Sequence, residues 1–200
     1  MKAKLLLTCA ALIGLAGCTT PPTAYVTHQF ATIEPQQIVA AQEPLRLQVV
    51  TRRYRGEELY NDASPWVYTG AVAALKKTGV IQPSPQGEDG KVLVVVKEVD
   101  STAGDTARGI AHGVLGGLTL GAIGFTAKGE YDVSLQITTK DKVVAHPPVR
   151  VDVNIRFGSD SAPPGLQTYR DNNDALKQAL SDAILWTVWD MQKQGLMPLQ

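Results

Sequence analysis

Apolar and polar side chains alternate along two segments in the second half of the chain. The apolar positions of the first segment are Tyr131, Val133, Leu135 and Ile137, and those of the second are Val149, Val151, Val153, Ile155 and Phe157. A period of two predicts strands with one buried and one exposed face. The charged residues 140–142 between them predict a turn, so the two strands are expected to pair in an antiparallel fashion.

Two further strands are predicted earlier in the chain. Leu45, Leu47 and Val49 alternate with polar residues, and we expect the folded domain to begin at Leu45. The segment 92–96 is an unbroken apolar run between turn-rich and charged residues, which indicates a strand buried on both faces.

Two helices are predicted from apolar residues at helical spacing. The first opens at Ser64 and Pro65, ends at Gly79, and places Val67, Ala71, Ala74, Leu75 and Thr78 on one face. The second covers 173–194, with a core face of Leu176, Leu180, Ala183, Ile184, Thr187 and Met191. Leu185, Trp186 and Trp189 lie outside that face and indicate a second buried contact, with the glycine-rich segment 109–127, a second subunit or a membrane interface.

These elements follow the order β-α-β-insert-β-β-α. The order predicts an α+β two-layer sandwich, with two helices on one face of a mostly antiparallel sheet. A single domain is expected over 45–196, with an apolar glycine-rich insert at 109–127. Residues 18–44 contain several prolines and no sustained period, so a flexible tether is predicted there.

The N-terminus has the layout of a secretory signal. Lys2 and Lys4 precede an uncharged apolar run over 5–15, which is shorter than the roughly 20 residues that span a bilayer. Small residues then lead into Cys18 in the sequence Leu15-Ala16-Gly17-Cys18.

This sequence resembles the lipobox of bacterial lipoprotein precursors. The resemblance implies cleavage after Gly17, which makes 1–17 a signal peptide, and a diacylglyceryl thioether and an acylated amine on Cys18. Several acyl chains hold a protein to a membrane far more firmly than one chain does. Thr19 stands where the similar enterobacterial sorting rule would require Asp for retention in the inner membrane. The resemblance therefore implies a lipid anchor in the outer membrane, on its periplasmic face.

Composition narrows the chemistry of the mature chain. The chain has two cysteines. The resemblance implies that Cys9 is removed with the signal and that Cys18 carries lipid, which would exclude thiol catalysis, cysteine metal sites and internal disulfides in the mature chain. Without Lys2 and Lys4, 17 basic residues face 19 acidic ones, which gives no electrostatic reason to bind nucleic acid. No catalytic or phosphate-binding motif is present, so we expect no enzyme and no cofactor besides the covalent lipid.

Three groups of residues have both a functional and a structural interpretation. Arg52, Arg53 and Arg55 suggest either a phosphate contact or a solvated strand end. Trp66 and Tyr68 suggest either a ligand wall or packing against the sheet. The histidines His28, His112 and His146 lack a second ligand at metal-binding spacing, so no metal site is expected.

The segment 109–127 contains no charge and is rich in glycine. Two GxxxG spacings, at Gly109–Gly113 and Gly117–Gly121, are of the type that allows close helix approach in membranes. A single spanning helix is disfavoured because each glycine costs roughly 1 kcal/mol in a helix and because strands of one domain flank the segment. An apolar contact loop, a docking surface for another protein and a re-entrant hairpin remain as alternatives.

These features predict a non-enzymatic outer-membrane lipoprotein that acts through contacts with an envelope protein or with itself. The expected contact residues are Gly113, Gly116, Gly117, Leu118, Leu120, Gly121, Leu185, Trp186 and Trp189. One alternative is a membrane-inserting secretion or channel component, similar in architecture to the lipoprotein pore of curli secretion. Another is a periplasmic small-molecule binding module with Trp66 and Tyr68 as its wall.

Overall fold

A computed structural model describes residues 22–60, 65–99, 124–158 and 161–197. Its strands are β1 (Thr23–His28), β2 (Leu45–Arg55), β3 (Glu58–Leu59), β4 (Ile81–Pro83), β5 (Gly90–Glu98), β6 (Phe125–Thr139), β7 (Val143–Ala145) and β8 (Val149–Phe157). Its helices are α1 (Pro65–Lys77) and α2 (Asn172–Lys193), and a single 3-10 turn covers Pro35–Gln37.

The strands form one mixed sheet in the order β1-β8-β6-β5-β2-β3. β4 lies beside one end of β2, and β7 lies beside β6. β2 runs parallel to both β4 and β5, and the other pairs are antiparallel. The parallel pairs follow from α1, which carries the chain back before β4 and β5 begin. The α+β class is confirmed, while β1, β3, β4 and β7 are absent from the predicted order.

Burial along β5 differs from the prediction, which has 92–96 buried on both faces. Val92, Val94 and Val96 are buried, whereas Leu93 and Val95 between them are half-buried, so only one face of the strand is fully covered. Burial of the two helices follows the predicted period. Every residue predicted for the core faces of the two helices is buried, from Val67 to Thr78 and from Leu176 to Met191. The helices also contact each other, and a Cβ at Gly70 of α1 would lie 3.2 Å from Leu180 Cδ2 of α2.

The prediction of a flexible tether over 18–44 is wrong for the described part of that range. β1 pairs with β8 along its whole length, from Thr23 opposite Arg156 to His28 opposite Val151. Ala24, Ile33 and Ile38 are buried in the core. The physical signal is the alternation of Ala24 and Val26 with polar or aromatic neighbours, which lets β1 cover one edge of the sheet.

Residues 29–44 form a strap that runs along α2 from β1 to β2. Phe30 contacts Trp186, and the backbone of Val39 pairs with the side chain of Gln192. The strap then reaches the end of α1, where the Ala41 amide donates to the Gly79 carbonyl. The folded domain therefore begins near Thr23 and not at Leu45.

The boundary of the glycine-rich insert also changes. β6 begins at Phe125, so the last three residues of the predicted range 109–127 belong to a strand. The signal peptide, Cys18 and residues 100–123 lie outside the described residues. The predicted site residues among them are Gly17, Cys18, Gly113, Gly116, Gly117, Leu118, Leu120 and Gly121.

Candidate functional site

The insert leaves and rejoins the sheet on neighbouring strands. The last described residue before the insert is Val99, directly after β5, and the first described residue of its returning part is Gly124, directly before β6. β5 and β6 are antiparallel partners, with Glu98 opposite Tyr131, and the Val99 amide donates to the Glu130 carbonyl at 2.9 Å. Both junctions therefore lie at the same end of the sheet.

A cationic side chain is held between aromatic rings at this end. The Arg53 guanidinium carbon lies 5.0 Å from the ring centroid of Tyr60 and 5.6 Å from that of Trp66. Its Nη2 donates to Glu98 Oε2 at 3.2 Å. Contacts of this kind stabilise a partly buried cation through the ring quadrupole. We call Arg53, Tyr60, Trp66, Glu98 and Tyr131 the insert-base cluster.

Tyr131 closes the insert-base cluster from β6. Burial is the main cause that raises the pKa of its phenol, and the Glu98 charge adds to it. A Cβ at Gly129 would lie 3.1 Å from the Tyr131 ring, so the glycine makes room for the aromatic side chain. The cluster is thus a packed support for the two strands that carry the insert.

The fold places the members of the predicted arginine group, and those of the predicted aromatic group, in different environments. Arg53 is half-buried and bonded to Glu98, while Arg52 and Arg55 are exposed, as expected for a strand end. Trp66 is buried against Arg53, whereas Tyr68 is 52% exposed. Trp66 and Tyr68 therefore lie in different environments, which removes the support for a shared ligand wall.

The three predicted contact residues of α2 have three different environments. Leu185 is buried in the core. Trp186 is half-buried, with its ring centroids 5.3 Å from Phe30 and 5.4 Å from His146. Trp189 is half-buried and carries the Lys193 ammonium 5.5 Å from its ring centroid. The strap and His146 thus supply the second contact of Trp186, from within the described chain.

Two histidine–aspartate pairs flank Trp186 along α2. His28 Nε2 lies 3.7 Å from Asp182 Oδ2, and His146 Nε2 lies 2.8 Å from Asp190 Oδ2. The His28 ring also stacks on Phe30 at 4.1 Å between centroids. Sequence analysis missed these pairs because their members are far apart in the chain.

The surroundings of Asp182 shift its pKa. Burial is the main cause that raises its pKa, and the Glu34 carboxylate adds to it. A hydrogen bond from Gln178 Nε2 at 2.7 Å and the nearby His28 and Lys77 oppose the shift. The ionised side chain therefore carries a desolvation penalty that its partners offset in part.

An open groove of about 430 Å³ lies between α1 and α2. Lys77, Tyr169, Lys177 and Gln178 line it together with Ser181, whose buried hydroxyl has no hydrogen-bond partner among the described residues. Within the described ranges, no group of three or more His, Cys, Asp or Glu side chains could hold a metal ion. Among the same described residues, no helix is both long enough and apolar enough to cross a membrane.

Comparisons with known proteins identify no family for this chain. A scan against protein-family models finds no match, and a search of curated proteins also finds none. Among solved structures, the chain is similar to a single-substitution variant of the PelC dodecamer from Paraburkholderia phytofirmans, at 9% identity and a TM-score of 0.34, covering 84% of this chain and 96% of that one. A PelC dodecamer from the same organism gives 8% identity and a TM-score of 0.33, covering 82% and 96%. Values this low support no inference about function.

Proposed function

We propose that this chain is a non-enzymatic lipoprotein of the outer membrane, held on the periplasmic face by lipid on Cys18. It acts through contacts with an envelope protein or with its own copies. The lipobox-like sequence Leu15-Ala16-Gly17-Cys18 supports the anchor, and the uncharged segment 109–127 supports the contact surface.

The position of the two insert junctions supports the contact role over a single membrane span. Val99 and Gly124 adjoin antiparallel neighbours of one sheet, so a single membrane crossing would have to separate β5 from β6. That crossing is incompatible with their pairing. A contact loop or a re-entrant hairpin both return the chain to the same side.

The proposal includes a two-layer sandwich with both helices on one face of the sheet. Its support is the contact between α1 and α2, together with the alternating burial along β5. Because Leu185 is in the core and Trp186 is packed by the strap, the contact surface proposed here is the insert with Trp189.

Lipidation is tested by labelling with palmitate in a bacterial host and by membrane fractionation. Cys18→Ser is expected to abolish label and membrane retention, whereas Cys9→Ser is the matched control and is expected to keep both. Equal labelling of the two variants would contradict the anchor.

The insert is tested with a single cysteine at Gly117 and a membrane-impermeant maleimide. No other free thiol is expected in the lipidated chain, so the signal reports the insert alone. Labelling after permeabilisation of the outer membrane is expected for a periplasmic contact loop. The exposed turn residue Lys140, also changed to cysteine, serves as the control. Protection of Gly117→Cys until detergent is added, with Lys140→Cys labelled normally, would contradict an open loop.

A second candidate function is a membrane-inserting oligomer. It is favoured by the length and lack of charge of 109–127, together with the return of the chain to a neighbouring strand. This candidate predicts a stable ring in mild detergent, and mass measurement of a monomer would rule it out.

A further inference from the structure

One end of the sheet gathers the start of β1, the end of β8 and the start of β6. Thr23 is opposite Arg156, and Arg156 is in turn opposite Thr126. Arg156 Nε donates to the Thr23 hydroxyl at 2.9 Å. This hydrogen bond fixes the first residue of β1 to β8, which lies between β1 and β6. We call this end of the sheet the anchor end.

We infer that the anchor end faces the bilayer and that the domain stands end-on to the membrane surface. This inference rests on the proposed lipidation of Cys18. It names the surface of the domain that meets the lipid headgroups, which the lipobox alone does not.

The short spacing between Cys18 and Thr23 limits where the domain can sit. Five residues reach at most about 17 Å when fully extended. β6 alone has 15 residues, which corresponds to about 50 Å along the strand. Thr23 therefore stays close to the membrane. The far end of the sheet, at the turn 140–142, can approach the membrane only if the domain lies flat.

A charged network on the exposed face of β6 and β8 disfavours an orientation with this face flat on the membrane. Lys128 Nζ lies 2.9 Å from Asp152 Oδ2, and Arg150 Nε lies 2.8 Å from Asp132 Oδ1. Glu130 contacts both cations. Pressing these partly exposed groups against headgroups would remove water from five charges at once. The anchor end carries Gly124, where the apolar insert rejoins the sheet.

The orientation is tested with single cysteines at three exposed alanines, which keep the change in side-chain volume small. Ala127 lies at the anchor end, Ala145 lies opposite Gln136 further along β6, and Ala73 is exposed on α1, where it borders the groove with α2. Each variant is purified as the lipidated chain, labelled with an environment-sensitive fluorophore and reconstituted in phosphatidylethanolamine–phosphatidylglycerol vesicles. Nitroxide attached to a fraction of the headgroups serves as the quencher.

The expected result is quenching at Ala127 several-fold stronger than at Ala73 or Ala145. Equal or stronger quenching at either of the other two sites would overturn the end-on orientation. Insertion of a flexible 20-residue linker after Thr19 is expected to reduce the quenching at Ala127, and no reduction would show that the short spacer does not set the orientation.

The acyl mass on Cys18 is measured on the same samples. Without that mass, the proposed function and this inference both fail. With the mass present but quenching misplaced, only the orientation fails.

Discussion

Two side chains of α2, Gln192 and Asp182, connect the helix to the N-terminal part of the chain. Gln192 is buried, and its side-chain amide takes the place of a backbone partner for Val39. Gln192 Nε2 donates to the Val39 carbonyl at 2.7 Å, and Gln192 Oε1 accepts from the Val39 backbone N–H at 3.1 Å. A side-chain amide can satisfy both groups of one residue in this way. The strap is thereby fixed to the last turns of α2.

Gln192→Leu is expected to destabilise the domain by about 1–2 kcal/mol, since it leaves both backbone groups of Val39 without their protein partner. Val39 is 54% exposed, so water replaces part of the loss. Urea unfolding followed by tryptophan fluorescence measures the difference. Gln36→Leu, at an exposed position of the strap, is the control and should change stability by less than about 0.5 kcal/mol. Equal effects of the two variants would refute the role of the amide.

Asp182→Asn is expected to raise the free energy of unfolding at neutral pH. The pKa of Asp182 is raised in the folded chain, so the folded state favours the protonated acid and is penalised once the carboxyl ionises. Asparagine removes that charge and keeps an oxygen that can accept from Gln178.

The stability gained by Asp182→Asn should shrink as the pH falls through the pKa of folded Asp182 towards the ordinary value of an aspartate, because the wild-type side chain then takes up its proton. Urea unfolding of both chains at a series of pH values from neutral to mildly acidic measures this difference in the free energy of unfolding. Asp141→Asn, at an exposed turn, should show no such trend. A destabilised Asp182→Asn at neutral pH would mean that the pair with His28 outweighs the cost of burial.

At the scale of elements, the contact between α1 and α2 depends on a glycine, Gly70, which has no side chain to separate the two helices. A Cβ at Gly70 would lie 3.2 Å from Leu180 and 3.5 Å from Lys177 Cγ. Contacts at the shorter distance are tight even for a methyl group, so any longer side chain would push the helices apart.

Gly70→Leu is therefore expected to destabilise the domain by roughly 1–3 kcal/mol, despite the better helix propensity of leucine. Ala73→Leu places the same side chain at an exposed position of α1 that borders the open groove with α2, where there is room for it, and should leave stability nearly unchanged. Thermal unfolding followed by circular dichroism compares the two. Similar melting temperatures for both variants would show that the helices can separate at little cost.

β1 and the strap form an element that the domain needs in order to fold. A chain that starts at Pro22 is expected to unfold in one cooperative transition. A chain that starts at Leu45 should lose the near-ultraviolet circular dichroism of Trp186, because Phe30 and the buried Ala24, Ile33 and Ile38 are gone. A cooperative transition of unchanged midpoint in the shorter chain would contradict this prediction.

Elements with a strong period could be predicted from the sequence, and those that depend on distant partners could not. β6, β8 and both helices follow from alternation or helical spacing. β1 carries a similar but shorter alternation beside prolines, and its partner β8 is remote in sequence. β4 and β7 have three residues each, too few to show a period.

At the scale of the whole molecule, the sequence indicated an insert but not what supports it. The absence of charge in 109–127 is visible in the chain, whereas the insert-base cluster joins Arg53, Glu98 and Tyr131 from three strands. Likewise, the members of the two histidine–aspartate pairs are far apart in the chain, so no short spacing motif reveals them. The insert-base cluster and the histidine–aspartate pairs both depend on contacts between residues that are distant in the sequence.

The pairing of β1 with β8 has a consequence for the way the protein is made. Thr23 and Arg156 are 133 residues apart, so the first strand to emerge from the ribosome has no partner until most of the chain has been synthesised. Sheets closed by such distant contacts form slowly, because a long loop must be ordered before the pairing stabilises it. Under the proposed function, the chain is exported across the inner membrane before it folds. The late pairing of β1 would then leave the edge of the sheet open during export.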